Sequence, residues 1–198
     1  MSDADVRRDV AVAGRSLERA EKSRHAAAGA HDPTATPYFV LEDLLGAVGL
    51  SEGSHLLDVG CGAGRVLAYF VEAGLPGRVT GVELDAQLAA DAAAWSARYE
   101  RVNVVAGSAL DLPLAGYTHV YLFNPFDTPV LEAFLDRLER EAARPVTLVH
   151  MSDNGEWLAY LGRTCWTVLR EGFFDLPGET GDCPQHYTVR RLHKTGRA

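Results

Sequence analysis

The stretch Leu56-Leu57-Asp58-Val59-Gly60-Cys61-Gly62-Ala63-Gly64-Arg65, followed by Val79-Thr80-Gly81-Val82-Glu83-Leu84-Asp85, decides the fold. Apolar residues run up to Gly60, so a buried strand ends there and a turn into a helix begins. Alternating glycines let the backbone turn sharply and let a ligand approach the main chain with no Cβ in the way. The second run is another buried strand ending in an acid. Glu83 lies 23 residues after Gly60, close to where a carboxylate accepts hydrogen bonds from ribose hydroxyls. The two runs together describe a pocket for an adenosine-bearing cofactor.

The glycine spacing narrows the cofactor. A dinucleotide fingerprint reads G-x-G-x-x-G/A, its last small residue letting the helix pack close to the strand. Here that place is Arg65, and the spacing is G-x-G-x-G. The two runs resemble motifs I and II of the class I S-adenosylmethionine (SAM) dependent methyltransferases, over roughly Thr36 to His150. The resemblance implies that Gly60, Gly62 and Gly64 flank the methionine half of SAM and that Asp58 supports their loop. It implies that Glu83, with Leu84 beside it, holds the ribose. After the third strand, Ser108 stands where many family members carry an acid for the adenine amino group. Asp111 is a possible substitute, and the amide of Ala109 would serve the ring nitrogen.

Phe123-Asn124-Pro125-Phe126-Asp127 resembles motif IV of amino-directed methyltransferases, with one proline instead of two. In that family the polar side chain and the next carbonyl hold the target nitrogen, which makes Asn124 a candidate catalytic and cofactor-facing residue. The other reading is a strand-to-helix turn, for which Asn and Pro both suit. Thr36-Pro37-Tyr38 resembles the segment that closes over SAM, with Tyr38 lining the cofactor. His150, Ser152 and Asp153 end the fifth strand. A histidine there is a candidate general base, against the plainer reading of a hydrogen-bonded structural residue. His186 and Tyr187 open the last strand and are candidates for the same rim.

Strand and helix alternate along the middle of the chain, which demands parallel pairing with helices on both faces. Strands are expected at 56–60, 78–84, 102–106, 118–123 and 145–151, with helices after Gly64, Ala86 and Thr128. Thr36-Pro37 reads as an N-cap with proline at the first helical position. Val6 to Ala28 reads as a charged helical arm, running into a flexible joint at Pro33. Residues 1–32 are therefore set apart from a catalytic domain at 33–198. Cys165 to Arg170 and Gln185 to His193 read as two strands around a Gly/Pro-rich loop that is functional or mobile. The resemblance makes them the antiparallel hairpin completing a Rossmann-like, doubly wound, seven-stranded sheet.

Composition excludes some classes. The 198 residues are 47% hydrophobic and 23% charged, as in an ordinary globular domain. No apolar run approaches the ~18 residues that a bilayer requires, and no signal-peptide core is visible. Cys61, Cys165 and Cys183 form no C-x-x-C, so neither zinc nor a disulfide framework is indicated and a reducing cytoplasm is expected. Residues 33–161 carry 7 basic and 17 acidic side chains, a poor surface for an extended nucleic acid. The resulting expectation is a SAM-dependent methyltransferase, directed to nitrogen of a small molecule or an exposed protein side chain. Its rivals are a SAM-binding scaffold without catalysis and a nicotinamide-dependent oxidoreductase, which Arg65 disfavours.

Overall fold

A computed structural model describes residues 2–19, 22–151, 156–178 and 181–194. Seven strands form one sheet: β1 (His55–Val59), β2 (Arg78–Glu83), β3 (Val102–Ala106), β4 (His119–Phe123), β5 (Val146–Met151), β6 (Trp166–Gly178) and β7 (Gly181–Leu192). Their order is β3-β2-β1-β4-β5-β7-β6. The β1–β2, β1–β4, β2–β3 and β4–β5 pairs are parallel, and β7 runs antiparallel to both β5 and β6. The seven-stranded, mostly parallel sheet expected from the sequence is thus present. Between β1 and β4 the winding changes direction, which leaves a crevice beyond the carboxyl ends of those strands.

The helices are α1 (Asp3–Ala13), α2 (Tyr38–Ala47), α3 (Arg65–Glu72), α4 (Ala86–Ser96) and α5 (Thr128–Glu141). Side-chain alternation divides the core between the two faces of the sheet. Leu56, Tyr121 and Val149 meet α1, α2 and α3 on one face. Leu57, Val59, Val120, Leu122 and Leu148 meet the α5 stripe Leu131, Phe134, Leu135 and Leu138 on the other. Each of those α5 side chains is buried, worth about 1.5–3 kcal/mol apiece relative to exposure. Asp127 caps α5 by accepting from the Val130 amide, and Asp85 caps α4 by accepting from Gln87 and Leu88.

Several local expectations are corrected. Among the described residues the arm is α-helical over α1, which Gly14 closes in a left-handed conformation (φ 76°), and it holds one further 3-10 turn at Ala26–Ala28. The charged helix α1 is tied into the core. Asp9 is fully buried and receives Nε and Nη2 of Arg65 at 2.9 and 2.6 Å, the Tyr38 hydroxyl at 3.1 Å and the Leu17 amide at 3.0 Å. Thr36 does not cap α2. Pro37 takes the cap position, and the Thr36 hydroxyl instead meets the Tyr121 hydroxyl at 3.0 Å. The Gly/Pro-rich segment expected as a loop is mostly strand, since β6 runs to Gly178 and β7 begins at Gly181. No helix among the described residues is long and apolar enough to cross a membrane.

Candidate functional site

A cavity of about 410 Å3 lies at the carboxyl ends of the central strands. Its floor is the loop after β1, the end of β2 and the loop after β3. Asp58 is buried, with Oδ2 lacking a hydrogen-bond partner. Burial, then the nearby Glu83 charge, pushes its carboxyl well above the usual carboxylate range. Glu83 anchors the glycine loop: Oε2 accepts from the Gly62 amide at 2.8 Å and Oε1 from the Asp85 amide at 2.9 Å. One carboxylate thereby joins the ends of β1 and β2 and still has lone pairs to offer.

Two glycines are required by their neighbours. A Cβ on Gly60 (φ 70°) would stand 2.7 Å from Cβ of Pro125. At Gly64 (φ 95°) it would stand 3.0 Å from Trp95, whose indole N–H donates to the Ala63 carbonyl at 2.9 Å. Gly64 therefore lets α3 and α4 approach, which is packing rather than ligand contact. Gly64→Ala is expected to cost about 1–3 kcal/mol through the combined strain and crowding. A thermal melt unchanged from wild type would refute that role.

The opposite wall comes from the segment between α1 and α2. Arg19, Ser23, His25, His31 and Ala35 all line the cavity. His25 Nε2 lies 3.9 Å from Asp85 Oδ2. Residues 29–31 pair with the loop after β4. The His31 amide donates to the Pro125 carbonyl at 3.0 Å, and the Asp127 amide donates to the Gly29 carbonyl at 2.8 Å. Ala30 and Phe126 form an antiparallel bridge. His31 Nδ1 lies 2.9 Å from the Asn124 carbonyl oxygen.

Asp58, Gly60, Gly62, Glu83, Leu84, Ser108 and Ala109 all line the cavity. Ser108 spends its hydroxyl oxygen on the Leu110 amide at 3.1 Å. Tyr38, Gly64, Asn124 and His150 lie outside the lining, and each has a physical reason. Tyr38 is packed in the core beneath α1, with its hydroxyl on Asp9. His150 is 1% exposed and bonds the Tyr160 hydroxyl at 3.1 Å. Burial, followed by the Arg190 and His186 charges, lowers its pKa to about 3. A buried ring bonded to Tyr160 and set outside the cavity lining fits the plainer reading of a hydrogen-bonded structural residue. Asn124 sits at φ 40° with Oδ1 buried and unpartnered. Its main-chain carbonyl and that of Pro125 both meet His31, so of the two acceptors an amino-directed site would use the Pro125 carbonyl already receives an amide while the Asn124 side-chain oxygen is left over. Asp111, His186 and Tyr187 do not line the cavity, and Ser152 and Asp153 fall outside the described residues. The wall contributed by residues 17–19 and 22–36 was missed, because that segment has no apolar period to betray its place.

Residues 56–144 match the family model described as a methyltransferase domain. Over 75 residues the chain is 36% identical to erythromycin 3''-O-methyltransferase of Saccharopolyspora erythraea, a match spanning 36% of this chain and 24% of that protein. The fold is that of the N-methyltransferase NodS of Bradyrhizobium japonicum bound to S-adenosylhomocysteine. That likeness has a TM-score of 0.63 at 15% identity and covers 79% of this chain and 86% of NodS. An RNA methyltransferase of Salinibacter ruber, also bound to S-adenosylhomocysteine, is similar at a TM-score of 0.62 and 20% identity, covering 82% of this chain and 95% of that one.

Proposed function

Because this chain carries a methyltransferase domain of the SAM-dependent class I type, we propose that it binds SAM and passes the methyl group to a small-molecule or protein side-chain acceptor. The observation that carries this reading is the pairing of Asp58 and Glu83 at the floor of one cavity. An unpartnered buried carboxylate oxygen fits an ammonium group, and Glu83 fits a ribose diol. Gly60 and Gly62 let the main chain approach the methionine half. The Ala109 amide and Ser108 stand where the adenine edge would lie. The cofactor supplies an activated methyl, so the protein needs no covalent nucleophile. Its work is orientation and exclusion of water, and Leu17, Arg19 and the described residues from Lys22 to Asp32 share in that work by closing one side of the pocket. The unpaired Cys61 and Cys165 fit a reducing, cytoplasmic setting.

Calorimetric titration tests the reading. SAM and S-adenosylhomocysteine should bind in the micromolar range and NAD should not; the reverse pattern would overturn it. Binding should also release protons. Asp58 has a raised pKa when free, and an ammonium partner favours its ionised form. The released proton should therefore appear as a binding heat that varies with the ionisation enthalpy of the buffer. Equal binding heats in buffers of different ionisation enthalpy would contradict that role for Asp58.

A further inference from the structure

The cofactor-facing groups run along the sheet from β3 (Ser108, Ala109) through β2 (Glu83) to β1 (Asp58, Gly60). The side left for an acceptor is the end of β4. His31 is fastened there at two points. Its amide holds the Pro125 carbonyl at 3.0 Å, and its Nδ1 lies 2.9 Å from the Asn124 carbonyl oxygen. A carbonyl oxygen can only accept, so Nδ1 carries the proton. A neutral imidazole has one such proton, which leaves the lone pair on Nε2. No described residue bonds Nε2, and the side chain lines the cavity.

We infer that His31 is the general base of this site and that the acceptor is a hydroxyl group, so that methyl transfer is to oxygen. The inference rests on the SAM reading above. A neutral amine can attack an activated methyl unaided and shed its proton afterwards. A hydroxyl is a weak nucleophile and gains from losing its proton during attack. The acceptor O–H gives its proton to Nε2 as its oxygen forms the new O–CH3 bond. The S–CH3 bond breaks with its electron pair remaining on sulfur. The products are a methyl ether, the neutral thioether S-adenosylhomocysteine and an imidazolium that returns its proton to solvent. The same geometry takes one of the two acceptors that an amino substrate would use, because the Pro125 carbonyl already receives the His31 amide.

His31→Asn is the decisive variant. An asparagine amide N–H stands close to the place of Nδ1–H and keeps the bond to the Asn124 carbonyl, while the Nε2 lone pair is lost. Full-length wild type and variant are first titrated with S-adenosylhomocysteine, then incubated with SAM plus phenol, benzyl alcohol and benzylamine, with products read by mass. The expected result is a methyl ether from wild type and a rate at least about 100-fold lower in His31→Asn, at affinity within about twofold. Nitrogen NMR of histidine-labelled protein should find His31 protonated on Nδ1. Failure of wild type to bind S-adenosylhomocysteine would sink the cofactor reading itself. With that binding intact, an Nε2–H tautomer overturns the hydroxyl-base inference alone. So does methylation confined to benzylamine, methylation of no probe, or a His31→Asn rate equal to wild type.

Discussion

Glu83→Ala should weaken S-adenosylhomocysteine binding by about 100-fold or more in a protein that still folds. In the free protein the carboxylate ties the Gly62 amide to the Asp85 amide. In the complex it would also accept from ribose hydroxyls. Hydrogen bonds to a charged group contribute about 1.5–3 kcal/mol each, and about 1.4 kcal/mol is tenfold in affinity. Losing two of them accounts for the expected factor before any loosening of the loop is counted. Glu83→Gln retains one acceptor oxygen and should fall between. Calorimetry measures both variants, with circular dichroism confirming the fold. Affinity unchanged in folded Glu83→Ala would place the ribose elsewhere in the cavity.

Asp9→Ala should lower the melting temperature by roughly 10 °C. The Asp9 and Arg65 side chains are 0% and 2% exposed, so removing the carboxylate leaves a guanidinium charge in the core. Breaking one partner of such a pair costs about 3–5 kcal/mol, and a domain of this size loses about 2–4 °C per kcal/mol. The Tyr38 hydroxyl and the Leu17 amide lose their acceptor at the same time. The double variant Asp9→Leu/Arg65→Met should recover most of the loss, because replacing both charges removes the uncompensated one. A double variant no more stable than Asp9→Ala alone would show that packing, not the stranded charge, is at stake.

Much of this was legible in the sequence for a stated reason. The strand–helix alternation and the glycine loop are local patterns, and Gly60, Gly62 and Glu83 stand where those patterns place them. What escaped depends on partners far along the chain. Asp9 looks like one more charge beside Asp3, Asp5, Arg7 and Arg8, and its partners Leu17, Tyr38 and Arg65 lie 8, 29 and 56 positions away. His150 occupies a strand whose residues are buried throughout, and the end of that strand was mistaken for a rim. Pro184 argued for a loop between the last two strands. β5 accompanies β7 only as far as Tyr187, so Pro184 lies where β7 has one open edge and a missing N–H is tolerated. His31 has no signature of its own, since its significance lies in a carbonyl 93 residues on.

That separation has a consequence for biogenesis. A ribosome delivers His31 long before Asn124–Asp127, and contacts of large sequence separation form late. A nascent chain halted before Asn124 therefore already owns the glycine loop and Glu83 while His31 has neither of its carbonyl partners. On the reading proposed above, the groups that face the cofactor leave the ribosome before the wall that faces the acceptor can be fastened.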